Sequence, residues 1–250
     1  MVAGALSPFS ANPVDRSPRS YKFYDVLLSA SVAILLCSNL IGPGKTVAVP
    51  FPGMGTVTFG AGNIFFPISY IFGDVFTEVY GYSKARKAIW CGFGAMIFAS
   101  TMSMVVIALP SDPHEPFNRA LQPAIELVFG NTWRITVGSL LAYWAGDFVN
   151  SFVLARMKLL TGGRHLWTRT IGSTICGQLV DSCIFYPVAF WGLWSGATVA
   201  AIVVHNWLFK VFVEVALTPL TYWIVGRLKH VEKEDYFDRG TNFNPFAVVE

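Results

Sequence analysis

Apolar residues in this chain fall in long runs, without the short-period alternation of a soluble domain. Six runs stand out, at 26–41, 64–80, 89–109, 135–154, 171–191 and 198–225. Most approach the ~20 residues that a helix needs to cross a bilayer. The first two are short and the last is long, which predicts kinks or tilt. The pattern predicts an all-α integral membrane protein: a six-transmembrane-helix bundle over 23–228, preceded by a flexible tail over 1–22 and followed by a second tail over 229–250. The stretch at 42–63 departs from the pattern. It is rich in Gly and Pro, and Thr56-Val57-Thr58-Phe59 alternates like a strand. This first extracytoplasmic loop therefore reads as irregular, either a short hairpin or a re-entrant segment over the outer mouth.

Composition agrees with the pattern. Charged residues make up 13% of the 250, against about 25% in an ordinary soluble domain. Fourteen of the 18 basic residues lie in the tails and the second and fourth loops: Arg16, Arg19 and Lys22, then Lys84, Arg86 and Lys87, then Arg156, Lys158, Arg164 and Arg169, then Arg227, Lys229, Lys233 and Arg239. That asymmetry predicts that both termini face the cytoplasm. Residues 1–22 lack an apolar core followed by a small-residue cleavage site, so no removable signal peptide is read. Cys37, Cys91, Cys176 and Cys183 form no CxxC pair, and Cys176 and Cys183, which share a helix face, read as packing residues. Gly44-Lys45-Thr46 resembles the end of a phosphate-binding loop, but Asn39 stands where that pattern needs Gly, so no ATP site is read. Nor do His, Cys and carboxylates show metal-ligand spacing. No cofactor, metal, nucleic-acid partner or catalytic residue is expected, and without a nucleophile–base pair the chain reads as a non-enzyme.

The informative chemistry is the polar content of the apolar runs. Asp74 and Glu78, four residues apart, share one helix face in the second run. Asp147 and Asn150 lie in the fourth, Gln178 and Asp181 in the fifth, Lys210 and Glu214 in the sixth, and Asn39 near the end of the first. An ionised acid at a bilayer centre costs roughly 2.5–3.5 kcal/mol on insertion scales, so each such residue is a functional-site candidate. Five carboxylates against one lysine would leave a buried charge of −4, so several must be protonated or paired. Lys210 and Glu214 are expected to pair along their own helix, and Arg86 to compensate Glu78 near the cytoplasmic end. What remains is a pocket rich in acceptors, suited to a cation, a proton or a neutral molecule rich in N–H donors.

The run from Phe66 to Arg86, with Gly73-Asp74-Val75-Phe76-Thr77-Glu78-Val79-Tyr80-Gly81 at its centre, closely resembles the signature of the queuosine precursor transporter family, also called the vitamin uptake transporter family. Ser38-Asn39 with Lys45, Gly146-Asp147-Phe148-Val149-Asn150-Ser151, Arg169-Thr170-Ile171-Gly172, Gly177-Gln178-Leu179-Val180-Asp181-Ser182 and Lys210-Val211-Phe212-Val213-Glu214 extend the resemblance along nearly the whole chain after the tail. The resemblance implies uptake of 7-deazaguanine precursors of queuosine, the cyano form preQ0 or the aminomethyl form preQ1, across a bacterial cytoplasmic (inner) membrane. A guanine-like base presents an N1–H and an amine side by side, which one carboxylate can accept together. Asp74, Glu78 or Asp181 is expected to take that edge, with Asp147 in the same set and with Asn39, Asn150 and Gln178 as secondary contacts. Lys210 and Glu214 would tune the pocket, while Lys45, Arg86 and Arg169 would serve as gates or helix-end pairs. Lipid is the expected surrounding, and a homodimer follows only from the general tendency of oligomers. Two alternatives stay open: a vitamin-binding subunit of an energy-coupling system, for which Ser29 and Ala33 offer a small-residue docking face, and a proton- or cation-coupled exchanger.

Overall fold

Among the described residues six helices follow the apolar runs, with one short helix between them. The computed structural model describes residues 21–40, 46–51, 55–60, 65–130, 133–192 and 195–247. Helix α1 covers Tyr24–Leu40. Strands β1 (Thr46–Phe51) and β2 (Gly55–Gly60) pair antiparallel, with Thr46 opposite Gly60 and Phe51 opposite Gly55. Helix α2 (Phe66–Val75) places Pro67 in its first turn, where the missing N–H costs nothing, and continues into a π-helical turn at Phe76–Tyr80. Then come α3 (Tyr82–Ala108), α4 (Asn118–Phe129), α5 (Trp133–Thr161), α6 (Leu166–Phe190) and α7 (Gly196–Glu232). At 1.5 Å per residue α7 is about 55 Å long, well beyond a hydrocarbon core of about 30 Å.

Among the described residues three helices are long and apolar enough to cross a membrane: α3, residues Ile135–Thr161 of α5, and α7. Of the other expected crossings, α1 is apolar but only 17 residues long. α2 has 10 residues before its π turn, and α6 carries a polar face that lowers its hydropathy. That face (Arg169, Thr170, Ser173, Thr174, Gln178 and Ser182) is buried. Conversely Phe98, Met104, Phe212 and Trp223 point outward, each more than 60% exposed. Polar groups inside and large apolar groups outside invert the pattern of a water-soluble protein and fit a bundle solvated by lipid. The cysteines follow the outward pattern: all four are exposed, so Cys176 and Cys183, expected as buried packing residues, face outward instead.

Helix α4 lies outside the six apolar runs. Arg119, Gln122 and Glu126 recur at helical spacing along one face, and the Gln122 amide donates to Glu126 at 2.6 Å and to the Ile107 carbonyl at 3.1 Å. Its apolar residues Leu127, Val128 and Phe129 are exposed.

Close approach of α5 and α6 fixes the middle of the bundle. A Cβ on Gly146 would meet the Asp181 Cβ at 2.9 Å, and one on Gly177 would meet the Gly146 carbonyl oxygen at 2.9 Å and the Asn150 Cβ at 2.8 Å. Only hydrogen fits at either position, which is how small residues bring membrane helices into backbone contact.

The two tails meet at one end of the bundle. The backbone N–H groups of Lys22 and Phe23 donate to Glu232 at 2.9 and 2.8 Å. The predicted tail at 1–22 otherwise lies outside the described residues. After α7, Lys233 turns the chain with a positive φ of 53°, and the following segment runs back over α3. Asp238 accepts from the Tyr82 backbone N–H at 3.0 Å. The Arg86 guanidinium donates to the Asn242 and Asn244 carbonyls at 2.7 and 2.9 Å, and the Trp90 indole N–H donates to the Pro245 carbonyl at 2.8 Å.

Candidate functional site

The signature segment passes from α2 through the π turn, and the two acids it carries have different fates. A π turn inserts one residue into the helical repeat and re-aims the side chains beyond it. Glu78 lies in that turn, is 0% exposed, and collects three cations at the end of the bundle where the tails meet. Arg169 of α6 reaches its Oε1 at 2.7 Å, Lys229 of α7 at 2.6 Å and Lys158 of α5 at 3.4 Å. Lys158 also donates to the Glu78 carbonyl at 2.6 Å and to the Tyr236 carbonyl at 2.8 Å. Asp235 closes the cluster, 2.6 Å from Lys158 and 2.8 Å from Lys229. Burial pushes the Asp235 pKa up, but the hydrogen bonds and charges of the two lysines outweigh it and hold the carboxyl below its ordinary range.

Arg169 therefore pairs with Glu78. Arg86, expected to compensate Glu78, instead anchors the returning C-terminal segment through the Asn242 and Asn244 carbonyls. Lys158 and Lys229 are the cluster members that the sequence reading left among the loop cations. Each sits in the last turn of a helix, and Asp235 follows α7 closely. Those end positions were the only available signal.

Asp74, one turn before Glu78, points elsewhere. It is 1% exposed, and the Asn150 amide of α5 donates to its Oδ1 at 3.4 Å. The carboxyl of Glu214, 0% exposed on α7, faces it. Neither Glu214 oxygen nor Asp74 Oδ2 has a hydrogen-bond partner among the described residues. Lys210 is bonded to Asp181 of α6, so the expected Lys210–Glu214 pair is replaced by a pair between helices. Lys210 reaches across the packed α6–α7 face to Asp181 rather than along its own helix to Glu214.

A cavity of about 40 Å³ lies beside this polar layer, bounded by α1, α2, α3 and α5. Its polar lining includes Ser31, Ser69, Tyr143, Asp147, Asn150 and Ser151. A cavity needs roughly 10–15 Å³ to admit a water, so this one has room for at least one. Asp147 is half-buried and faces Asp181 and Lys210. The Asn150 carbonyl oxygen is buried without a partner among the described residues. Tyr70 of α2 donates its hydroxyl to Gln178 at 3.2 Å. The structure thus gathers Asp74, Asp147, Asn150, Gln178, Asp181, Lys210 and Glu214 into one layer.

Asn39 is not part of it. Its amide bonds the Leu35 carbonyl of its own helix at 2.9 Å, and its side chain lines a second cavity of about 370 Å³ with Met96, Ser103 and Ser139. Lys45 lies outside the described residues. Among the described residues no group of three His, Cys, Asp or Glu side chains could hold a metal ion.

The comparisons with known proteins point one way. The family described as "Putative vitamin uptake transporter" matches residues 60–224, from the end of β2 into α7. A Bacillus subtilis (strain 168) protein named "Probable queuosine precursor transporter" is 31% identical over 168 residues, covering 66% of this chain and 71% of the relative. A Haemophilus influenzae protein of the same name is 26% identical over 167 residues, 66% of this chain and 67% of the relative. The "Queuosine precursor transporter" of Escherichia coli (strain K12) is 28% identical over 136 residues, 54% of this chain and 55% of the relative. No solved structure gives a significant match. With most of α2 to α7 inside the matched region and the polar layer built from those helices, the chain belongs to the vitamin uptake transporter family.

Proposed function

We propose that this protein imports queuosine precursors of the 7-deazaguanine type, preQ0 or preQ1, across a bacterial inner membrane. In this reading α1, α2 with its π turn, α3, α5, α6 and α7 make six crossings, with both termini in the cytoplasm. The observation that carries the reading is the pairing of Asp147 with Asn150 on one face of α5, both lining the cavity. An ionised Asp147 accepts the N1–H and amine edge of the base as a charge-assisted pair. The unpartnered Asn150 carbonyl takes a further N–H. Gln178, whose carbonyl takes the Tyr70 hydroxyl, lies in the same layer to serve the acceptor edge.

Asp147 replaces the acids first expected to read the base. Glu78 is committed to its cations, Asp74 is turned toward Glu214, and Asp181 is bonded to Lys210. The cavity is smaller than a bicyclic base, so in this reading binding requires α1 to part from α3 and α5. The names of the relatives from three bacteria support the substrate class.

The test is uptake of labelled preQ0 and preQ1 by cells that lack their own synthesis pathway and express this chain alone. Accumulation of either base above the empty-vector level is the expected result. No accumulation, from a protein that reaches the membrane intact, overturns the proposal.

A further inference from the structure

Asp74 and Glu214 present a problem that the base-binding site does not solve. Both are buried, at 1% and 0% exposure, and come from helices 140 positions apart in sequence. They face each other. Asp74 Oδ2 and both oxygens of Glu214 find no donor among the described residues. Two ionised carboxylates side by side in a dry interior repel strongly. The arrangement closes only if one carboxyl carries a proton and donates it to the other, as in other paired acids.

The surroundings leave that proton in place. From α2 the neighbouring groups are Tyr70, which also faces Glu214, and Glu78, whose charge is taken by its own cations. From α5 the Asn150 amide touches Asp74. Among the described residues the one lysine of the layer, Lys210, one turn from Glu214 on α7, is held by Asp181 of α6. Asp147 faces that Asp181–Lys210 pair. No described cation therefore neutralises Asp74 or Glu214.

Asn150 joins this pair to the cavity. Its amide donates to Asp74, and its carbonyl, unpartnered on a side chain 9% exposed, borders the space assigned to the base. A base that engages this carbonyl fixes the amide plane and with it the bond to Asp74. We propose that Asp74 and Glu214 form a proton-binding site, and that this proton crosses the membrane together with the base, making the protein a proton symporter. The proposal rests on the uptake reading above for its second substrate. Its first half, a shared proton in the empty protein, does not.

Two measurements keep the halves apart. The first is infrared difference spectroscopy of the purified full chain at neutral pH without base, comparing wild type with Glu214→Gln and Asp74→Asn. A protonated-carboxyl band in wild type that both variants lose is expected. Its absence from wild type overturns the proposal. The second is uptake of labelled 7-cyano-7-deazaguanine into proteoliposomes under an imposed pH gradient. With one proton per base, each pH unit, acid outside, raises accumulation about tenfold, and adding base outside acidifies the lumen. In Glu214→Gln, whose side chain mimics the neutral acid, saturable base binding persists while the response to the gradient is lost. Wild-type uptake that ignores the gradient and moves no protons overturns symport and leaves the uptake reading standing. A protonated pair in a protein that binds and carries no base removes the uptake reading, and symport with it.

Discussion

Arg169 meets Glu78 at 2.7 Å although 91 residues separate them, and the two side chains are 1% and 0% exposed. The contact ties the π turn of the signature segment to the start of α6. A buried charge left with no partner costs about 3–5 kcal/mol, and with Lys229 and Lys158 still beside Glu78 the loss of Arg169 costs part of that. Arg169→Gln should therefore lower the unfolding temperature in detergent measurably. Lys229 reaches the same carboxylate from a position 23% exposed, so Lys229→Gln should cost less. Equal losses for the two would show that the cations share Glu78 evenly.

The α5–α6 contact predicts a size limit. Gly177→Val would force its side chain into Asn150 and the Gly146 carbonyl. Overpacking of this kind costs about 1–3 kcal/mol, and it also moves Asn150 relative to Asp74. Base binding should fall further than stability does. Size-exclusion profile and unfolding temperature, measured beside binding, separate the two effects.

The C-terminal segment gives a pH dependence. The Asp235 pKa is depressed in the folded state, so its ion pairs contribute stability that is fully present above the unfolded value, about 3.9. That contribution is lost as pH falls through the lower folded value. Asp235→Asn should loosen the segment at neutral pH, read as faster proteolysis after Lys233. The difference from wild type should vanish as pH drops below the ordinary carboxylate range. A difference that persists there would assign the effect to packing instead.

Much of this was legible in the sequence. Runs of apolar residues located the long helices, and the expense of burying charge marked the polar layer. Pairing was harder to read, because it depends on which helices touch. Spacing at i, i+4 suggested Lys210 with Glu214, whereas Asp181 of α6 gives the lysine a partner across the α6–α7 interface. Proximity along the chain suggested Arg86 for Glu78, whereas the returning C-terminal segment takes Arg86, and cations from three other helices converge on Glu78. Helix α4 escaped because Pro123 and its polar face interrupt the apolar pattern on which the reading relied.

The central claim, that Asp147 with Asn150 reads the donor edge of a 7-deazaguanine base, is tested most directly by equilibrium binding of labelled preQ0 to purified wild type and Asp147→Asn. A hydrogen bond to a charged group contributes about 1.5–3 kcal/mol, so the variant should bind about 10- to 100-fold more weakly while keeping its unfolding temperature. Undiminished binding by Asp147→Asn would contradict the account.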